Sequence, residues 1–160
     1  MPLSLSIASR IQYQHNTIEE LIKDYTEDQL RIRTIPGKWS PFENIAHLVR
    51  YQVIFKARVD KIVNTDNPSF ERYLAENDPG FNPYLQHSLF QLLQSLGDTR
   101  KEIFKTLTTF TDIELARIGE HPKFGPLSLI QWSEFFLLHE AHHLFTLFKL
   151  LNDQEKVDTH

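Results

Sequence analysis

Apolar residues recur every three to four positions over four long stretches of the chain, which is the spacing of amphipathic helices. A clear example runs through Leu92, Leu93, Leu96, Ile103, Phe104 and Leu107. Prolines separate the stretches, which contain none at 3–35, 42–67, 84–121 and 127–160. Because proline breaks helix interiors, each stretch predicts one helix of about 20–25 residues.

Start signals support three of these helices. A serine followed three residues later by glutamate or glutamine forms a capping box, and the pairs are Ser40 with Glu43, Ser88 with Gln91 and Ser128 with Gln131. No segment of useful length shows strand periodicity. Four helices with one long connection, about residues 64–87, predict an all-α four-helix bundle. We expect one domain over residues 1–152 and a polar C-terminal tail over residues 153–160.

Composition narrows the class of protein. The chain has 160 residues, 41% of them hydrophobic, which suits one core. Its net charge of −4 excludes the basic surface of a nucleic-acid binder, and the absence of cysteine excludes disulfides and thiolate ligands. No apolar run reaches the roughly 18 residues of a membrane span, and the first residues are too polar for a secretory signal. We expect a cytoplasmic protein without a membrane partner.

The fourth predicted helix is apolar on nearly every side between Phe135 and Phe148. A helix of this kind is either central in its bundle or partly buried against a second molecule. We therefore expect a homodimer.

Three of the eight histidines fall in the segment His139-Glu140-Ala141-His142-His143. Residues four apart on a helix differ by about 40° in direction, so His139 and His143 can reach one ion, whereas His142 points about 100° away from His143. A polar surface patch is the alternative interpretation. Apolar residues on both sides of the segment favour metal binding, since unpaired imidazoles would be costly there.

A site in a bundle also needs a ligand from a facing helix. His47 is the best candidate because it lies mid-helix among apolar residues. The remaining histidines fall in a polar run, at helix boundaries or at the end of the chain: His15, His87, His121 and His160. A lone histidine on an apolar face is more often a satisfied core residue, but the H-x-x-x-H pair on another helix favours a ligand.

Three neutral imidazoles suit one divalent transition metal ion such as zinc or nickel, and they leave a coordination position open for a small-molecule substrate. Glu43 and Tyr51 lie one turn before and one turn after His47. Either could orient a ligand or the imidazole, and either could be ordinary packing.

Other interpretations of the histidines stay open. The segment matches the H-E-x-x-H signature of zincin metalloproteases, with Glu140 as general base, but only 17 residues follow His143 to supply a third ligand. A di-iron carboxylate site would need two Glu-x-x-His pairs, and the chain has one. A bundle that binds a metal without catalysis is a further alternative.

The arrangement of these motifs resembles the DinB-like superfamily. The resemblance rests on Pro36-Gly37-Lys38-Trp39-Ser40 before Ala46-His47-Leu48, and on Gly125-Pro126-Leu127-Ser128 before the histidine segment. The same PGKW turn, Asp66-Asn67-Pro68 and His121-Pro122-Lys123-Phe124-Gly125 are similar to the YfiT-like branch, which contains metal-dependent hydrolases and bacillithiol S-transferases. The similarity spans about residues 20–151.

The resemblance implies a four-helix bundle, often dimeric, with one zinc or nickel ion per chain held by His47, His139 and His143. His142 corresponds to a companion histidine that is not a ligand. The implied activity is that of a hydrolase, or of a transferase that uses a low-molecular-weight thiol such as bacillithiol. Glu140 is interpreted as a helix-surface charge, with an outer-shell base as the alternative.

Overall fold

The polypeptide folds into four bundle helices joined by short helices and one hairpin. The computed structural model describes residues 3–157, with the side chains of residues 3–153. In chain order the elements are α1 (Leu5–Tyr13), α2 (Thr17–Ile22), α3 (Glu27–Arg31), α4 (Pro41–Asn64), α5 (Asn82–Leu85), α6 (Leu89–Thr109), α7 (Asp112–Leu115), β1 (Ile118–His121), β2 (Gly125–Ser128) and α8 (Leu129–Val157). α4 packs against both α6 and α8, while α1 and α2 together form the fourth member. This arrangement confirms the predicted four-helix bundle.

All three predicted capping boxes are present. At the start of α4, the Ser40 hydroxyl accepts from the backbone N–H of Glu43, and the Glu43 carboxylate accepts from the backbone N–H of Ser40. The same reciprocal pairs begin α6 at Ser88 and α8 at Ser128. Because each box satisfies N–H groups that a helix leaves unpaired, the sequence fixes these three helix starts closely.

The first predicted helix is broken in two. A 3-10 turn over Gln14–Asn16 separates α1 from α2. His15, Asn16 and Thr17 are weak helix formers, and apolar periodicity alone did not reveal the break.

A two-stranded antiparallel hairpin, β1 paired with β2, corrects the expectation of a purely helical chain. Each strand has only four residues, too few for alternation to be visible. Gly119 allows the hairpin to approach α4, since a Cβ atom there would lie 2.8 Å from the Ile62 side chain. The Trp132 indole donates to the Gly119 carbonyl at 3.1 Å and fastens the hairpin against α8.

The core consists of two apolar clusters that divide the bundle lengthwise. One contains Ile45 and Val49 of α4 with Leu144 and Leu147 of α8, and the other contains the buried apolar residues within 51–62 of α4 and 129–137 of α8. His47 of α4 and Glu140 of α8 are buried where the two clusters meet. The histidines predicted from sequence therefore lie near the middle of the α4–α8 interface.

Glu140 is buried in an ionic network, so its interpretation as a surface charge is wrong. Its side chain and that of Arg100 are each 1% exposed and form an ion pair. The Glu140 carboxylate also accepts from Gln14, and Arg100 donates to the Gln52 side chain at 2.6 Å and to the carbonyl of Ile11. The network joins all four members of the bundle. The sequence around Glu140 does not indicate that its partner, Arg100, lies 40 positions earlier in the chain.

The outer face of α8 carries exposed apolar side chains. Leu138, Phe145 and Phe148 are all about half exposed or more. The expected homodimer stays a prediction. None of the helices within residues 3–157 has both the length and the apolarity of a membrane-spanning segment.

The last helix continues to Val157, beyond the expected start of the tail at residue 153. No proline or glycine interrupts residues 152–157, and several of them are good helix formers. Residues 158–160, including His160, lie outside the described residues.

Candidate metal centre

Three histidines converge at the α4–α8 interface, and they are the three that sequence analysis selected. His47 comes from α4, and His139 and His143 come from successive turns of α8. One ring nitrogen from each lies within 4.8 Å of the other two. Within the described part of the chain, this is the one cluster of three potential metal-ligating side chains. We refer to His47, His139 and His143 as the histidine triad.

The spacing within the triad fits a metal site. The Nε2 atoms of His47 and His139 lie 3.3 Å apart. Two imidazole nitrogens bound to one tetrahedral zinc ion, each about 2.05 Å from it, are separated by about 3.3–3.4 Å. The two nitrogens therefore already have the separation that a shared ion requires.

His143 is oriented by a chain of hydrogen bonds from the start of α4. The side-chain amide of Asn44 donates from Nδ2 to the Ser40 carbonyl at 3.0 Å, which turns its Oδ1 toward α8. The Nδ1–H of His143 donates to that Oδ1 at 3.0 Å. Because Nδ1 carries the proton, the lone pair lies on Nε2 and is free for a metal ion.

Burial keeps the triad neutral. It lowers the pKa of His47 to about 4, of His143 to about 3 and of His139 to about 2. For His139 and His143 the neighbouring imidazoles lower the pKa further, because two positive charges would repel each other at this distance. All three rings are neutral at pH 7, which is the form that binds metals.

Two ring nitrogens of the triad have no partner within the described structure. They are Nδ1 of His47 and Nδ1 of His139, both buried. His142 is exposed and lies outside the triad, as its helical direction predicted. Buried polar atoms without partners are rare in folded proteins. The two unpaired Nδ1 atoms therefore suggest that something other than packing stability accounts for these histidines.

The triad is accessible from two clefts. The smaller cleft has a volume of about 520 Å³ and includes His143, Asn44, Trp39 and Glu76. The larger one, about 950 Å³, we call the hairpin cleft because the β1–β2 turn forms one wall. Its lining is His47, Tyr51, Arg58, Glu71, Arg72, Tyr73, His121, Pro122, Lys123, Phe124, Phe135 and His139. Both are large enough for a small organic molecule.

Tyr51 forms part of the wall between the triad and the hairpin cleft. Its ring centroid lies 3.9 Å from that of His139. Burial raises the pKa of Tyr51, and the nearby Arg58 opposes that shift. Its hydroxyl is therefore protonated at neutral pH and available as a hydrogen-bond donor.

Tyr73, from the long connection between α4 and α5, stacks on His47 with a centroid distance of 5.9 Å. Its hydroxyl donates to Asp78 at 2.9 Å, and Arg50 of α4 donates to the same carboxylate at 2.7 Å. The Arg50 guanidinium holds the pKa of Asp78 below its usual range. This ion pair fastens the connection over the triad.

Glu43 and Glu140, the two carboxylates considered as candidate catalytic groups, have other partners. Glu43 accepts from Ser40 in the capping box and forms an ion pair with Arg33. Both oxygens of Glu140 accept from Arg100, and one also accepts from Gln14. An H-E-x-x-H protease needs its glutamate beside the metal ion, so the protease interpretation loses its general base.

Sequence reasoning missed Arg58 and Asn44. Arg58 follows His47 by eleven residues, three helical turns, so the two share one face of α4 within about 20°. That spacing was a usable signal. Tyr73 could not be found this way, because the path of the long connection is set by contacts such as Arg50 with Asp78.

The fold and the triad define a four-helix bundle protein with three clustered histidines, one buried and two half-buried, on two facing helices. The family model of the DinB superfamily matches residues 10–147, and the chain belongs to this superfamily. Comparison with the curated proteins gives no significant match.

Solved structures of low sequence identity share the fold. YfiT from Bacillus subtilis, described as "a probable metal-dependent hydrolase with an unusual four-helix bundle topology", is 16% identical with a TM-score of 0.82, covering 94% of this chain and 86% of that one. TT2238, a four-helix bundle protein, is 19% identical with a TM-score of 0.63, covering 89% and 95%. An uncharacterized protein from Clostridium difficile 630 is 15% identical with a TM-score of 0.67, covering 94% of each chain. At sequence identities this low, the structural similarity shows that the fold is shared and nothing more.

Proposed function

We propose that this DinB superfamily member is a metal-dependent enzyme acting on a small molecule, with one zinc or nickel ion held by His47, His139 and His143. The observation that carries the proposal is the convergence of three neutral imidazoles, with two Nε2 atoms 3.3 Å apart. The description of the similar structure YfiT as a probable metal-dependent hydrolase supports it.

Neutral ligands leave the full charge of a divalent ion available for chemistry. A bound ion supplies a Lewis acid that lowers the pKa of a coordinated water or thiol. Hydrolysis uses the water, and transfer of a low-molecular-weight thiol such as bacillithiol uses the thiol. With three protein ligands, a position stays open for either one.

The chain's own residues shape the substrate site around the triad. Asn44 holds His143 in the ligating tautomer. Tyr51 lines the hairpin cleft with its protonated hydroxyl near Arg58, and Tyr73 covers His47. These rings exclude water from one side of a bound molecule and offer it a flat apolar wall.

Metal content tests the proposal most directly. Purified protein is incubated with zinc or nickel, desalted and measured by elemental mass spectrometry. We expect about one ion per chain for the wild type and less than about a tenth of that for His47→Ala, because two ligands hold an ion far more weakly than three. His142→Ala, which removes an exposed imidazole from the same segment, serves as the matched control and should retain the ion. Equal loss in both variants would contradict the assignment.

A metal-binding bundle without catalysis is the alternative. The loaded protein is incubated with an electrophile such as 1-chloro-2,4-dinitrobenzene, with and without a thiol, and with activated esters. Turnover that requires the thiol identifies the transferase, and ester cleavage that is lost in His47→Ala identifies the hydrolase. Metal binding without either activity would favour the non-catalytic alternative.

A further inference from the structure

Arg58 is a buried cation inside the hairpin cleft. The residue is 9% exposed, and its guanidinium lies over the rings of Phe70 and Trp132 at 5.5 and 5.4 Å from their centroids. One of its nitrogens donates to the backbone carbonyl of Glu71 at 3.0 Å. The aromatic rings, the carbonyl and the Tyr51 hydroxyl hold the group in place without neutralising its charge.

Arg58 differs from the other deeply placed arginines of α4 and α6. Arg100 pairs with Glu140, and Arg50 pairs with Asp78. Within the described residues, no carboxylate forms an ion pair with Arg58. A buried charge without a counter-ion is costly, and the walls of the cleft add the positive charges of Arg72 and Lys123 against the single negative charge of Glu71. This local excess of positive charge stands out in a chain with net charge −4.

His121 presents a second hydrogen-bond donor to the same cleft. Its Nδ1 accepts from the backbone N–H groups of Lys123 and Phe124 at 3.1 and 3.2 Å. A neutral imidazole that accepts at Nδ1 carries its proton on Nε2. Burial, Arg58 and Lys123 lower the pKa of His121, so this neutral tautomer dominates at pH 7. The hairpin turn thus fixes which nitrogen of His121 donates.

Arg58 also lies in line with the triad. His47, Tyr51 and Arg58 fall on one stripe of α4, with His47 and Arg58 about 16 Å apart along the helix axis. Long side chains on a helix lean toward its N-terminus, so the guanidinium is carried back toward Tyr51 and shortens that separation. One small molecule in the hairpin cleft can therefore contact both the triad and Arg58.

We propose that Arg58 and His121 bind a carboxylate group of the substrate or cofactor, whose other end reaches the histidine triad. This inference rests on the proposed function and specifies its substrate class as carboxylate-bearing small molecules. A carboxylate supplies the single negative charge that one buried guanidinium lacks, and it accepts two parallel hydrogen bonds from that group. Tyr51, Tyr73 and Phe124 supply the apolar wall for the body of the molecule.

Calorimetric titration with benzoate and benzamide tests the carboxylate site. The two probes have the same shape and differ in charge, and the phenyl ring suits the aromatic cleft. Metal-free and zinc-loaded wild-type protein should both bind benzoate about tenfold to a hundredfold more tightly than benzamide, as a charge-assisted hydrogen bond predicts. Arg58→Met should abolish this preference, and Arg58→Lys should retain part of it. An unchanged preference in folded Arg58→Met protein would overturn the proposal.

His121 has a matched variant of its own. In His121→Asn, the side-chain oxygen can accept the two hairpin N–H groups in place of Nδ1, but the donor at Nε2 is lost. We expect benzoate affinity to fall by about threefold to tenfold while benzamide affinity is unchanged. Unchanged benzoate affinity in this variant would remove His121 from the proposed site.

Further arms separate the possible causes. A benzoate preference seen only in zinc-loaded protein and insensitive to Arg58→Met would place the carboxylate on the metal ion and overturn the proposal. Tighter binding of phenyl phosphate than of benzoate would overturn the choice of carboxylate.

If the protein binds no zinc, the proposed function fails, while the metal-free titration still reports on Arg58. Should Arg58→Met not fold, a benzoate-induced shift of the Arg58 Nε–H resonance in the wild-type NMR spectrum supports the site, and its absence contradicts it.

Discussion

Two buried polar clusters begin at adjacent residues of α8 and differ in how completely they are paired. Glu140 opens the ionic network with Arg100, in which the carboxylate and guanidinium satisfy each other and the remaining bonds go to Gln14, Gln52 and the Ile11 carbonyl. His139 opens the histidine triad, in which the Nδ1 atoms of His47 and His139 have no partner within the described structure. The network is complete by itself, and the triad is not.

This difference matters for the interpretation of a short sequence motif. The letters of H-E-x-x-H suggest one site, but consecutive residues on a helix point about 100° apart. Here the glutamate joins the four members of the bundle, while the histidines bring unpaired ring nitrogens together. A fully paired buried cluster specifies the fold, and a cluster of imidazoles with unpaired ring nitrogens is typical of a binding site.

Lowering the pH should give the largest change in stability that distinguishes the triad from the network. The three imidazoles have pKa values lowered by burial, so the unfolded chain binds protons more readily than the folded one below pH 6.5. Stability is therefore fully present above that pH and is lost as the pH falls toward 4. Each imidazole contributes about 1.4 kcal/mol per pH unit, so the triad of the metal-free protein should account for a loss on the order of 5 kcal/mol between pH 7 and pH 5. Urea unfolding at several pH values measures the loss.

Two histidine variants test whether the triad causes this loss of stability in acid. His15 also has a pKa lowered to about 4 by burial and contributes to the loss. His139→Leu should reduce the slope by one proton, about 1.4 kcal/mol per pH unit, and exposed His142→Leu should leave it unchanged. A slope that is the same in the wild type and in His139→Leu would show that the folded triad accepts protons freely.

Removing one partner of the network should give the next largest effect. Glu140→Gln leaves the Arg100 guanidinium buried without a counter-charge, and we expect a loss of about 3–5 kcal/mol in the free energy of unfolding. The matched control is Glu134→Gln on the same helix, which breaks a partly exposed pair with Arg10 and should cost about 1 kcal/mol or less. Denaturant unfolding measures both.

The same variant separates structure from function. Folded Glu140→Gln protein should still bind about one zinc ion per chain, because the Glu140 carboxylate accepts from Arg100 and Gln14 and takes no part in the triad. Loss of zinc together with retained stability would contradict the separation of the two clusters and return Glu140 to the metal site.

Local signals explain why much of the fold was predictable. Ser40, Ser88 and Ser128 fix the starts of three bundle helices through bonds that reach only three residues along the chain. The spacing of His139 and His143 likewise needs nothing but helical geometry. His47 required one further step, the expectation that a histidine among apolar residues faces its counterpart across the bundle.

Distant contacts explain what was missed. The partner of Glu140 lies on α6, and nothing in the neighbouring sequence indicates that Arg100 would be buried there. The hairpin that carries His121 has strands of four residues and depends on the close approach permitted by Gly119. Arg58 shares a helical face with His47, but the sequence does not indicate that both residues line one cleft. Pairings between remote segments are set by the assembled core, which periodicity does not encode.

The orientation of His143 provides the most sensitive test of the triad. Asn44→Leu removes the acceptor of the His143 Nδ1–H at similar volume, so the ring loses the bond that fixes its ligating tautomer. Such outer partners typically contribute about tenfold to a hundredfold to metal affinity, which corresponds to about 1.4–2.7 kcal/mol. Competition with a chromogenic zinc chelator measures the affinity. Asn64→Leu, which removes an exposed amide near the far end of α4, is the control and should leave zinc affinity unchanged. Unchanged affinity in Asn44→Leu would mean that packing alone orients His143, and the triad would then resemble the network in being fixed by its surroundings.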